Sequence, residues 1–279
     1  MTRGALEAAT NGIVTAVSVA PVGDAFEEAV AELRGVPAVD VGAHLVLVGE
    51  RPLSPPSEVP SLVGRDGRLL GGFATFCARY ARGGVAIADV RRELGRQLVR
   101  LLETGLPVRH LNSHQHLHAL PRVFDEVAAL AAEHSIPFIR VPEDPLLPLP
   151  LTPRAAALRG LGQLARRCRR RLSSASPVAA IDGTLGLAVA GHLTAERLRA
   201  LLTARWSGCY ELVCHPGSGD AQLASRYGWG YDWDAERAAL TDPALPAALA
   251  DTDVEITSFS RLAVATSPAR PPAASPGRP

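Results

Sequence analysis

Four of the eight histidines fall within nine residues, His110-Leu111-Asn112-Ser113-His114-Gln115-His116-Leu117-His118. Neutral imidazole ligates Zn and several other divalent metals, and it moves protons near neutral pH. Side chains on a strand alternate faces. An extended segment therefore points His110, Asn112, His114, His116 and His118 one way, and Leu111 and Leu117 the other. Such a polar row sacrifices hydrophobic burial, so a polar cavity or a metal must offset it. One histidine taken alone is better read as part of a solvated loop or a hydrogen-bonded core. Four at one strand end favour a site. His116 and His118 are candidates for ligation or for orienting the groups that ligate. The segment offers no carboxylate, so an Asp or Glu ligand must come from elsewhere.

Two further histidines sit where such a site could use them. His44 lies among apolar residues in VGAHLVLV and by itself reads as a satisfied core histidine. His215, in Cys214-His215-Pro216-Gly217, follows an apolar strand and precedes a turn, a suitable place for a proton-transfer group. Cys214 beside it reads as a buried thiol. His134 and His192 read as surface or helix-boundary residues.

The elements that must carry these residues alternate. Thr2 to Ala9 reads as a helix ended by Asn11-Gly12. Ile13 to Ala20 and Val39 to Val48 read as strands, and Asp24 with Glu27 as a capping box before a helix to Leu33. Residues 50–84, rich in Pro, Gly and Ser, read as an excursion or lid. A helix spans Ala86 to Glu103, a strand Val108 to Ser113, a helix Pro121 to His134, and a strand Pro137 to Val141. Residues 142–180 read as an irregular insertion. A helix starts at Thr194, and strands follow at Tyr210–Cys214 and Val254–Phe259. This alternation predicts an α/β fold with a mainly parallel sheet, a barrel in preference to an open sheet. In such folds the chemistry sits at the carboxyl ends of strands, where His44, the 110–118 cluster and His215 all fall. Residues 1–265 are expected to form one domain, and 266–279 (TSPARPPAASPGRP) a disordered proline-rich tail.

Composition narrows the function classes. The 279 residues carry a formal net charge of +1, and every one of the 29 basic side chains is an arginine. There is no global basic field for nucleic acid. The run Arg166-Arg167-Cys168-Arg169-Arg170-Arg171 reads as a solvated face. No apolar run reaches the ~20 residues of a membrane helix. The four cysteines form no CxxC pair, which favours a reduced compartment, and the N-terminus has no signal pattern, so the cytoplasm is expected.

Several segments, in order from about residue 3 to 260, resemble the YdjC-like carbohydrate deacetylase family, hopanoid-biosynthesis-associated members included. They are NGIVTAVSVAPVGDAFEEAV, VGAHLVLVGERPL, HLNSHQHLHALP, IRVPEDP, GTLGLAVAGHLT and ELVCHPG. HLNSHQHLH and ELVCHPG are the most specific. The resemblance implies a distorted β/α barrel of TIM type. It implies removal of an N-acetyl group from an amino sugar, glycolipid or oligosaccharide with a divalent metal, Mg or Zn. It maps two metal-ligating histidines onto His44 and His114, a general acid onto His215, and an arginine near the site onto Arg140. Asn112 stands where many members have aspartate; it keeps an acceptor and loses a charge. Members open with a strand bearing Asp-Asp-Phe-Gly, whose aspartates supply the base and a third ligand, and Met1 falls after it. The barrel is thus expected without its first strand, and the favoured explanation is a start placed too far downstream. The alternatives are a truncated, catalytically impaired sugar- or metal-binding homologue, and a metal-dependent hydrolase of another bond such as a phosphoester. A homodimer stands beside the monomer as an assembly.

Overall fold

The computed structural model describes residues 1–144, 153–172, 176–204, 207–250 and 252–266. Helix α1 (Thr2–Thr10) leads into strand β1 (Ala16–Val19), helix α2 (Phe26–Arg34) and strand β2 (Asp40–Leu45). A 3₁₀ turn at Pro56–Glu58 and helix α3 (Phe73–Ala81) precede helix α4 (Ile87–Leu102) and strand β3 (Val108–Ser113). A 3₁₀ segment, His114–Ala119, then carries the chain into helix α5 (Pro121–Glu133) and strand β4 (Phe138–Ile139). Helix α6 (Pro153–Arg171), strand β5 (Gly183–Leu185), helix α7 (Ala195–Thr203) and strand β6 (Tyr210–Leu212) follow. Four helices close the described chain: α8 (Asp220–Tyr227), α9 (Trp233–Leu240), α10 (Leu245–Ala250) and α11 (Phe259–Thr266).

The α/β class and the parallel pairing are as expected. Strands β1-β2-β3-β4 form one parallel sheet, and β5-β6 a second. A single parallel bridge, Phe138 to Ala179, extends the first sheet beyond β4. Strand β2 is buried at every position except His44, the pattern of a strand covered on both faces. Helix α4 turns Val90, Leu94, Leu98 and Leu101 inward at helical spacing, onto the core beneath the sheet. Its buried Gln97 binds both the amide and the carbonyl of Val46, and Glu93 accepts from the amides of Leu53 and Ser54. The strand ends around His44 are thereby pinned from below.

Several local expectations differ from the structure. The Asp24–Glu27 capping box is not formed: α2 has no side-chain cap, and Asp24 instead pairs with Arg226 at 2.6 Å. Residues 50–84, the excursion between β2 and α4, contribute Val59, Leu62, Leu69 and Phe76 to the main core. The 142–180 stretch is not irregular throughout, since it holds the 19-residue α6. The arginine run forms the last turns of that helix, where cations suit the carboxyl end of the helix dipole. Arg166 pairs with Glu143 and Arg171 with Asp125. Residues 254–258 are not a strand: they join no ladder among the described residues, and Phe259 opens α11. Of the expected tail at 266–279, all but Thr266 lies outside the described residues. Among the described residues, no helix is long and apolar enough to cross a membrane.

Candidate active site

The parallel register between β2 and β3 sets His44 opposite Asn112 and Leu45 opposite Ser113. The two strands therefore finish side by side, and His114 is the first residue beyond them. Asn112 Oδ1 lies 2.6 Å from His44 Nδ1. An amide oxygen only accepts, so Nδ1 carries the ring proton and Nε2 keeps its lone pair. Asn112 Nδ2 donates in turn to Ser18 Oγ at 2.7 Å, and Ser18 Oγ is 2.9 Å from His110 Nε2. A chain of polar contacts across three strands thus fixes the His44 ring. His110 stacks on Phe259 and occupies the space above Gly42, where a Cβ would fall 2.2 Å from its ring.

The expected one-sided row of polar groups does not form. The strand stops at Ser113, and Gln115 and His116 adopt left-handed backbone angles, with φ of 53° and 54°. The kink sends the histidines to different jobs. His114 faces His44 edge-on, with ring centroids 5.7 Å apart. His116 has its Nδ1 buried without a hydrogen-bond partner. His118 is fully buried and spent on structure. Ser113 Oγ donates to its Nδ1 at 2.7 Å, and its Nε2 donates to the Arg140 carbonyl at 2.9 Å.

His215 leaves β6 and enters the same space, with its Nδ1 also buried and unpartnered and its ring centroid 5.2 Å from that of Tyr231. Its backbone amide donates to the buried Glu236, which also accepts from the amides of Gly191 and Leu193. Arg140 grips Glu211 with two hydrogen bonds, through Nε at 2.8 Å and through Nη2. Burial works to raise the Glu211 pKa, but the Arg140 charge and hydrogen bonds outweigh it and hold the carboxyl below its ordinary value. The carboxylate that Arg140 orients is therefore the protein's own.

Electrostatics keep the imidazoles neutral. Burial, helped by His114 and Arg140, holds His44 well below its ordinary pKa, and burial alone lowers His114. Burial with Arg140 lowers His116 strongly. Burial, then Arg140 and His114, brings His215 to about 4. Neutral rings have the lone pairs a cation needs. The His44–His114 spacing suits two rings converging on one ion. Among the described residues, however, no group of three or more His, Cys, Asp and Glu side chains is arranged to hold a metal. Two imidazole donors, His44 and His114, stand together among the described residues. Burial lifts the Cys214 thiol to about 12, so with no cation beside it the thiol stays protonated.

His44, His114, His116, Arg140 and His215 line one open cavity of about 2060 Å³. It also runs along β1 to residues 253–258 and exceeds the ~300–1,000 Å³ of a drug-sized ligand site.

The family model described as YdjC-like protein matches residues 1–251. The chain belongs to the YdjC-like family. It is 31% identical to a carbohydrate deacetylase of Geobacillus stearothermophilus over 264 residues, which is 92% of this chain and 89% of that one. A carbohydrate deacetylase of Mus musculus is also 31% identical, over 93% of this chain and 89% of its own. A chitooligosaccharide deacetylase of Serratia marcescens is 28% identical over 93% and 92% of the two chains. In fold, the chain is similar to a "putative cellobiose-phosphate cleavage protein" of Enterococcus faecalis V583. The TM-score is 0.72 at 22% identity, covering 94% of this chain and 92% of that one.

Sequence reasoning reached His44, His114 and His215 but missed Ser18, Glu211, Glu236 and the aromatic residues Tyr227, Trp229 and Tyr231. Glu211 had a signal, a carboxylate inside an otherwise apolar strand. The aromatics had one too: Tyr227-Gly228-Trp229-Gly230-Tyr231-Asp232-Trp233 packs four aromatic residues into seven positions, in a chain that is only 5% aromatic.

Proposed function

We propose that this YdjC-like chain is a carbohydrate deacetylase, a hydrolase that cleaves the amide C–N bond of an N-acetylated amino sugar or chito-oligosaccharide. The observation that carries the reading is the convergence of His44, His114 and His215 from three strand ends on one cavity, in a chain whose full-length relatives are named deacetylases. His44 and His114 would hold a divalent cation, Mg or Zn, with the Asn112 hydrogen bond fixing the His44 ring to present Nε2. When bound, such an ion polarises the acetamide carbonyl and lowers the pKa of water.

His215 serves the leaving amine. Its pKa of about 4 means the ring is neutral at pH 7. The proton it delivers must therefore be taken up within the reaction, from the attacking water, before it passes to the amine nitrogen. Glu236 holds the backbone amide of His215 and so sets where the ring stands. Arg140 and Glu211 form the buried charged floor beneath the histidines. The four free thiols suit a cytoplasmic enzyme acting on a soluble sugar.

A second reading is favoured by the two-imidazole donor set: a homologue that binds the sugar without turnover. Acetate release from N,N′-diacetylchitobiose, with and without added Mg or Zn, separates the two. The deacetylase reading expects acetate, with His215→Ala lowering the rate ~10²–10⁴-fold. Binding without acetate under either metal supports the second reading, and phosphate release from a model ester in place of acetate overturns both.

A further inference from the structure

We infer that Trp229, backed by Tyr227 and Tyr231, is an aromatic wall that seats the pyranose ring of the substrate beside the His44–His114 pair. The inference rests on the deacetylase reading of the same cavity. Trp229 faces the site directly, with its ring centroid 5.6 Å from that of His114. Tyr227 stacks on it at 4.4 Å, and Tyr231 stands 5.5 Å away while also approaching His215 at 5.2 Å. All three are half-buried and line the cavity that contains His44, His114 and His215. The wall thus meets both the proposed ligand pair and the proposed proton-transfer group.

The segment is constructed to hold these rings in place without burying them. Gly228 and Gly230 flank Trp229 in left-handed conformation, with φ of 58° and 68°, which glycine adopts at little cost. At the far end Trp233 is fully buried, and its carbonyl accepts from the amide of Gly217, two residues beyond His215. Tyr231 lies against Gly191, where a Cβ would come within 2.1 Å of its ring. The Asp232 amide donates to the Gly191 carbonyl at 2.9 Å, and the Asp232 side chain caps α9. Aromatic side chains left half-exposed on an anchored loop, facing a polar cavity, present apolar area to whatever enters. A pyranose ring matches that surface, because its axial C–H groups form an apolar face while its hydroxyls point outward at the equator. Acetate or acetamide alone lacks that face.

The test is calorimetric binding and steady-state kinetics with N-acetylglucosamine, N,N′-diacetylchitobiose and the trimer. Trp229→Leu is compared with Trp229→Phe, and circular dichroism checks the fold of each. The expected result is a Kd and KM raised about tenfold or more in Trp229→Leu, with kcat within about threefold, and near wild-type values in Trp229→Phe. Acetate inhibition should be unchanged in both variants. If wild type binds the sugars and folded Trp229→Leu binds them equally well, the wall is overturned and the deacetylase reading stands. A loss in kcat with KM unchanged overturns it as well. If wild type binds sugar without turnover, the Kd comparison still decides the wall. A wild type that neither binds nor cleaves any of the three overturns both inferences.

Discussion

Asn112 shows how much a single residue carries here. Its amide accepts from His44 and donates to Ser18, so it satisfies a ring nitrogen and a hydroxyl in one interior. Asn112→Ala removes both partners and leaves a buried polar group without a bond, a cost of about 1–3 kcal/mol. Urea unfolding should show that loss, and acetate release should fall because the His44 ring is no longer fixed. Asn112→Asp keeps the acceptor and adds a charge, so the His44 pKa should rise, which histidine NMR titration reads directly; an unmoved His44 resonance would contradict the contact. At this scale the sequence was informative about residue type and less so about direction. His114 and His215 stood out as imidazoles at strand ends, whereas His44, set among apolar neighbours, was singled out only by the family resemblance. Which of them share a face was not legible, because the alternation rule fails once the backbone turns left-handed at Gln115 and His116. Of the two readings of His118, ligand or orienting group, this arrangement fits the second, since both ring nitrogens are bonded, to Ser113 and to the Arg140 carbonyl.

Elements bring the pieces of the site together through close contacts that only small residues allow. Helix α1 lies against the loop that carries His215. A Cβ on Gly4 would fall 2.5 Å from the Gly217 backbone, where no flexible side chain can give way. Gly4→Ala should therefore displace the 215–217 loop, with a loss on the order of 1–3 kcal/mol in stability. Deacetylation should drop by a larger factor than the stability loss accounts for, since the loop holds His215, the proposed proton-transfer ring. A variant as stable and as active as wild type would show that the packing of α1 does not matter. Helix α1 itself was legible from its pattern and its Asn11-Gly12 ending; its contact with Gly217 was not, because it joins residues 213 positions apart. Helix α6 was missed for a different reason. Its arginine-rich last turns blur the apolar periodicity, and pairing with Glu143 and Asp125 makes them tolerable. The Asp24–Glu27 signature failed because Arg226, more than two hundred residues on, offered Asp24 a charged partner in place of a backbone amide.

Across the whole molecule, the parallel ladders were legible and their extent was not. Alternation marks which face of 254–258 is covered, yet a strand also needs a partner with free backbone groups. The contact made there is a side-chain bond from Thr15, the residue before β1: its Oγ1 donates to the Thr257 carbonyl at 2.7 Å. The fold does have one collective property that follows from its buried imidazoles. Burial holds His110 and His118 at about 4, well below the ordinary value of 6.5. Between those values the unfolded chain binds more protons than the folded one, so stability falls as pH is lowered from about 6.5 to 4, and above 6.5 neither group contributes a slope. Each ring can cost on the order of 3 kcal/mol across that window, a large share of the roughly 5–15 kcal/mol that holds a domain folded. Urea midpoints measured from pH 7.5 down to 4.5 should therefore decline, and steeply. His118→Gln isolates one ring. Its amide can still meet Ser113 and the Arg140 carbonyl but takes up no proton. The variant should lose some stability at pH 7 yet show a shallower decline, by about 1.4 kcal/mol per pH unit at most. Parallel curves for wild type and variant would mean that His118 titrates alike in the folded and unfolded chain, and that its burial is not what makes the fold acid-sensitive.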